Sequence, residues 1–521
     1  MNINVLKNLY AKNIVKVILI ALLIITVINR GSLGSIDTSV RLQMAHAWWT
    51  GTEEVDPNYQ PKFRGDLQVG VTGVGGKRYL SYDLGQSVLM LPGDWLGTQI
   101  HRFSPNTSLM DLRHAVVSYL VFVPLNIAAV IVCFWLLKLL DFSDSSAGLT
   151  TAAWLLCTTV LAYAQEPQHN NQVLLFVALA YASILAHIKD GRSHFVVIGG
   201  FASSFALLIR ASSIAHVLTI AIFTLACSVY HYRQTSKVLK TFALWILGFL
   251  PLGILGRVFD YLRYGSFLTT GQALSAQQFT TDPKWQGFPE FPPNYPFINE
   301  PHVGVIGVLF SPIKSIFIYD PLLIPCLIIG FLYWKKLSYY IKAYLLVGIL
   351  NLILHISLTS KLIFWGGDLS WGARYHVTSV HLLIIPLLGL LVQETLLSKG
   401  FRLWVLRGVL AIALIVQLAS VTMYHGVEIS QSPLKKQDLA PEIHSSQFRL
   451  GQRFINIACH FNPSLSTECL KDIQVLPFRK NPPVFIWVWR FLVALAIAAT
   501  FLFISQNQKL AKRELLESQN I

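Results

Sequence analysis

Charged residues are scarce in this sequence. Asp, Glu, Lys and Arg make up only 13% of its 521 residues, against the roughly 25% of an ordinary soluble domain, which excludes a chain whose main solvent is water. Acids are scarcer still, 26 against 41 Lys and Arg, for a net charge of +15. That excess does not mark a nucleic-acid binder. The bases sit in short segments between apolar runs rather than on one amphipathic face, so they read as topology signals. There are six cysteines. Cys133, Cys157, Cys227 and Cys326 fall inside apolar runs and behave as small hydrophobes, while Cys459 and Cys469 lie in a polar segment where a bridge is permitted. No tandem repeat, low-complexity tract or separate soluble domain is visible. The N-terminus, with Lys7, Lys12 and Lys16 around its first apolar run, lacks a small-residue cleavage site and reads as an uncleaved first span.

Apolar residues are plentiful, at 54%. Runs occur near residues 14–28, 114–137, 147–164, 171–188, 195–209, 212–230, 241–258, 319–333, 343–358, 377–393, 403–423 and 484–504. These predict an all-α membrane protein, a bundle of about 12 transmembrane helices treated as one domain over 1–521. With the N-terminus inside, every cytoplasmic linker is short and carries Lys or Arg, as the positive-inside rule requires. The stretch 195–230 must fold back, because one helix of that length would extend ~54 Å across a hydrocarbon core of ~30 Å. Its turn then brings Arg210 to the outer side. The long segments lie outside: 29–113, 259–302, 359–376 and 424–483. In 29–113, VRLQMAHAWW and SVLMLPGDWLG predict short interfacial helices with Trp at the membrane surface; 424–483 predicts an outer loop or small cap.

Several outer residues have the chemistry for a site. Asp37, in GSIDTSVRLQMA, is either an N-terminal helix cap or a carboxylate held near lipid. In GGKRYLSYDLGQSVLMLP, Lys77 and Arg78 with Tyr79 and Tyr82 suit either a phosphate or lipid head groups. Glu166 and His169 in AQEPQHNN are metal-ligand types, although two candidates do not make a site and a solvated turn is the somewhat better reading of the residues alone. WGGDLSWGARYHV places Asp368, Arg374 and His376 among glycines and tryptophans, as a bidentate phosphate contact or as a Trp belt with a snorkelling Arg.

In their order along the chain, Asp37 after the first span, GKRYLSYDLGQSVLMLP, YLRYGSFLTTGQ, VLFSPIKSIFIYDPLLI and WGGDLSWGARYHV together resemble the GT-C superfamily of membrane glycosyltransferases, particularly bacterial members related to protein mannosyltransferases and aminoarabinose transferases. The resemblance implies an inverting transfer from a polyprenyl-phosphate sugar donor to a glycan, lipid or protein acceptor, outside the plasma (inner) membrane, on its periplasmic or extracellular face. Asp37 would be the catalytic carboxylate, with Lys77, Arg78, Tyr82, Arg210 and Arg374 available for the donor phosphate. Glu166, with His169 and Asp368, would serve the acceptor or a divalent metal ion. One departure stands out: many relatives carry a second acid directly after the first, and this chain has Thr38. The alternative is a transporter or flippase of lipid-linked glycans, which the concentration of polar motifs in outer loops disfavours; a non-enzymatic scaffold is a third reading.

Overall fold

The computed structural model describes residues 3–62, 66–285, 294–367, 370–424, 427–431, 448–465, 469, 475–476 and 483–519. The helices are α1 (Ile3–Ile28), α2 (Ile36–Thr50), α3 (Leu84–Phe103), α4 (Leu109–Leu139), α5 (Asp144–Cys157), α6 (Val160–Gln165), α7 (Asn170–Asp190), α8 (Ser193–Ile209), α9 (Ile214–Tyr232) and α10 (Thr235–Tyr264). After them come α11 (Gly271–Thr281), α12 (Pro301–Phe310), α13 (Ile316–Tyr319), α14 (Leu323–Tyr333), α15 (Tyr339–Thr359), α16 (Val377–Leu397), α17 (Gly400–Thr422), α18 (Val427–Ser430), α19 (Arg449–Phe461) and α20 (Pro483–Gln519). Strands β1 (Val71–Thr72) and β2 (Arg78–Tyr79) form one small antiparallel hairpin.

Eight helices among the described residues are long and apolar enough to cross a bilayer. The chain is a multi-pass, all-α membrane protein, as lipid demands of a backbone that must satisfy its own hydrogen bonds. All twelve apolar runs of the sequence are helical, yet four carry only short or interrupted helices: α1, whose apolar part is Asn13–Ile28, α8, the α5–α6 pair, and the α13–α14 pair. The run 195–230 is divided as its length requires, with Arg210 in extended backbone between α8 and a short turn leading into α9.

The chain forms two compact units, each discontinuous in sequence. The first comprises Met1–Asn29, Asn126–Gln165 and Glu300–Ile521. Its α5–α6 break at Thr158–Thr159 exposes helix-end donors, and buried Asp320 satisfies them: the Thr159 N–H and hydroxyl each donate to its carboxylate at 2.8 Å. Trp154 donates to His381 Nδ1 at 3.1 Å. The ring proton is therefore on Nε2, which donates to Thr159 Oγ1 at 3.0 Å. Polar groups inside a membrane bundle are held only by such closed chains. Cys459 and Cys469 are bridged, their Cα atoms 5.5 Å apart, inside the range a disulfide needs.

The second unit comprises Arg30–Leu125 and Glu166–Asn299. Here α8 packs closely on α10 because Gly200 and Gly248 meet the partner backbone directly; a Cβ on either would lie 2.0 or 2.1 Å from a carbonyl oxygen. Small residues at such crossings are how membrane helices gain contact. The stretch VRLQMAHAWW becomes α2, and its Leu42, Met44, Ala45 and Ala47 are buried. Fully buried Asp94 on α3 holds α2 and α4 together, accepting from His46 Nδ1 at 2.8 Å, Trp49 Nε1 at 2.7 Å and Arg113 Nε.

Candidate active site

The start of α2 decides how Asp37 is used. Ser35 is the N-cap, its hydroxyl accepting the Thr38 N–H, so the cap position is filled and Asp37 falls in the first turn. A helix N-terminus also favours negative charge there. Asp37 is half-buried, and its Oδ1 accepts a hydrogen bond from the Tyr82 hydroxyl at 2.8 Å. Forty-five residues separate the two in sequence.

Tyr82 is placed by a buried ion pair. Arg263, at the end of α10, donates to Glu54 at 2.6 Å, to the Tyr82 carbonyl at 3.2 Å and to the Leu80 carbonyl. Glu54 in turn accepts the Leu80 N–H at 2.8 Å and the Trp48 indole N–H at 3.1 Å. Gly85 then lets the start of α3 press against the end of α8, where a Cβ would stand 2.6 Å from the Ile209 nitrogen. This contact brings half-buried Asp83 to the Ala211 N–H at 2.9 Å.

Arg41 lies one turn after Asp37 on α2, on the same face. It is 4% exposed, its guanidinium carbon 4.1 Å from the centre of the Tyr82 ring. Its Nε and Nη1 are buried with no hydrogen-bond partner among the described residues. Burial pushes the Asp83 carboxyl above its ordinary range, opposed by the Ala211 N–H and by the guanidiniums of Arg41, Arg257 and Arg210. Asp37, Tyr82, Arg41, Asp83 and Arg210 thus belong to one neighbourhood.

The turn holding Glu166 and His169 reaches the same helix start. Glu166 packs against Gly34, and the Pro167 carbonyl accepts from Thr38 Oγ1 and from Gln86 Nε2, each at 3.1 Å. Thr38 is fully buried against that carbonyl, a position where a carboxylate would meet an acceptor instead of a donor. Glu166 and His169 are both buried. Among the described residues no three His, Cys, Asp or Glu side chains gather as a metal-holding group. Asp368 lies outside the described residues.

The remaining candidates have surroundings of their own. Lys77 is exposed at the hairpin turn. Arg78 is engaged with its own hairpin, donating to the carbonyls of Val69 and Gly70 at 2.7 and 3.1 Å, to Thr72 at 3.2 Å and to Asp282 at 2.8 Å. Arg374 belongs to the first unit, where it is half-buried and its Nη2 donates to the Tyr375 hydroxyl at 3.4 Å. Fully buried His376 pairs with Thr359 Oγ1 at 3.0 Å, and Lys314, also fully buried, donates to the Ser370 carbonyl at 2.8 Å. Sequence reasoning missed Arg41 and Asp83. The signal for Arg41 was its spacing of four from Asp37 on a helix beginning at Ile36; Asp83 stood in the quoted motif, unremarked beside Tyr82.

No family model and no curated protein matches the chain. Among solved structures it is similar to ArnT from Cupriavidus metallidurans bound to undecaprenyl phosphate, at 11% identity and TM-score 0.45 over 96% of this chain and 77% of that one. Apo ArnT aligns at 12% identity and TM-score 0.47, over 94% and 75%. The apo oligosaccharyltransferase of Archaeoglobus fulgidus aligns at 11% and 0.43, over 90% and 61%.

Proposed function

We propose that this protein is a GT-C-type glycosyltransferase that moves a sugar from a polyprenyl-phosphate donor to an acceptor hydroxyl on the non-cytoplasmic face of the membrane. One observation carries the reading: a half-buried carboxylate, Asp37, oriented by the Tyr82 hydroxyl and lying beside a buried guanidinium, Arg41, that no described residue satisfies. A base next to an unsatisfied cation is what transfer from a phosphate-linked donor calls for. Asp37 takes the proton from the acceptor hydroxyl as its oxygen attacks the anomeric carbon. The bond from that carbon to the phosphate oxygen breaks, the polyprenyl phosphate leaves with the bonding pair, and configuration inverts. Arg41 and Arg210 stabilise the charge that grows on the leaving phosphate. Thr38, turned to a carbonyl, supplies no second carboxylate, so one base serves the site.

Asp37→Asn tests this. Asn is as large as Asp and accepts the same Tyr82 hydrogen bond, but it takes no proton, so turnover with a polyprenyl-phosphate donor should fall by about 10²-fold or more at an unchanged melting temperature. Turnover near that of the unmodified chain would remove Asp37 as the base.

A further inference from the structure

Helix α19 is inside out for a segment surrounded by water. Its buried stripe is polar: Arg449, Gln452, Arg453 and Asn456 are all 6% exposed or less. Its outer stripe is apolar. Phe454 and Ile455 are exposed, Phe461 is 81% exposed, and Phe448 and Leu465 beyond the two ends are exposed as well. A water-facing helix shows the opposite pattern.

The polar stripe is fastened in place. Arg453 donates to both carboxylate oxygens of fully buried Glu428, at 2.9 Å for Nη2–Oε2, and Arg449 approaches the same carboxylate at 3.5 Å. Arg453 also donates to the carbonyls of Ala419 and Ser420 at 3.1 Å and of Tyr424 at 3.0 Å. The first two are carbonyls that a helix leaves unpaired at its C-terminal end, here the end of α17, and Tyr424 lies just beyond it. Asn456 exchanges hydrogen bonds with Gln431 at 2.6 and 3.0 Å. Rotating α19 to hide its phenylalanines would strand two guanidiniums and a carboxylate, so the apolar face is held outward.

We infer that this face is immersed in the lipid of the leaflet into which the C-terminal end of α17 opens, and that α19 is a membrane-embedded helix rather than a water-exposed cap. Continuity argues for lipid as the occupant. The exposed stripe of α17, with Trp404, Ile412, Ile415 and Leu418, belongs to a membrane span, and α19 is anchored across the end of that span. Exposed His460, Asn462 and Ser464 supply a polar rim at the helix end, suited to the head-group level. The Cys459–Cys469 bridge closes that same end.

Photo-crosslinking of the full chain in phospholipid vesicles tests the inference. Benzoylphenylalanine replaces Phe454 or Phe461, with Ile415 as the lipid-facing control and exposed Gln234, in the polar turn between α9 and α10, as the water-facing one. Phospholipid adducts at both positions, in yields matching Ile415, are expected. A yield as low as that at Gln234 would overturn the inference in favour of a water-exposed cap. Chain-to-chain adducts of doubled mass would overturn it in favour of a second copy. Neither result depends on whether the Asp37 variant transfers sugar.

Discussion

Glu428 and Asp37 are both carboxylates beside arginine, and they are treated in opposite ways. Around Glu428 in the first unit, each cation has protein partners: Arg453 is shared between the carboxylate and four carbonyls, and Arg449 also reaches the Ser370 carbonyl. Burial raises the Glu428 carboxyl, but Arg453 and Arg449 outweigh it and hold the group below its ordinary range. Around Asp37 in the second unit, Arg41 is nearly as buried, yet it stacks on Tyr82 with two nitrogens unsatisfied by the described residues. A closed network satisfies its charges within the fold, while an open one leaves a buried cation to be met from outside it, as the proposed transfer requires. Burial alone does not separate the two kinds of arginine; the count of their partners does.

The sharpest way to break this contrast is Glu428→Gln, which leaves two buried guanidiniums without their counter-charge and should cost about 3–5 kcal/mol, read from thermal melting. Because Glu428 has a lowered carboxyl pKa in the fold, its contribution is complete above the unfolded glutamate value of about 4.3 and fades as pH falls below that. The Gln variant should lose this acid-dependent part of the melting curve. Arg41→Met should behave in the reverse sense. Its stacking on Tyr82 is lost, about 1–2 kcal/mol, together with its attraction for the Asp83 carboxylate, whereas transfer should fall on the order of 10²-fold. If Arg41→Met melts as early as Glu428→Gln, or if it keeps full turnover, the distinction between closed and open networks collapses. Arg78→Gln should have the smallest effect on transfer, leaving turnover unchanged while costing about 1–3 kcal/mol from hairpin hydrogen bonds. A loss of turnover without a loss of melting temperature would return Arg78 to the donor phosphate.

Much of the fold is legible in the sequence. A single helical period repeated through apolar runs dictates spans wherever lipid is the solvent, and the break at Arg210 follows from length alone. The bridge between Cys459 and Cys469 was open to a reader of the chain, since ten positions separate them in one polar segment. The site was legible only in part. Asp37 and Tyr82 stand out singly, but nothing along the chain announces that they touch.

Local pattern and solvent therefore determined, from the sequence by itself, that this is a multi-pass helical protein, where its apolar helices run, and which loop residues have usable chemistry. Tertiary structure alone decided which of those residues are engaged elsewhere. Arg78 went to its hairpin because Asp282 and three neighbouring backbone or hydroxyl oxygens surround it there. Thr38 took a carbonyl, and Ser35 took the helix cap that Asp37 had seemed suited to fill. Arg41 was left with a charge and no described hydrogen-bond partner. The physical reason is that a hydrogen bond satisfies a buried group only at about 3 Å, and such distances between residues far apart in sequence are set by how the helices pack.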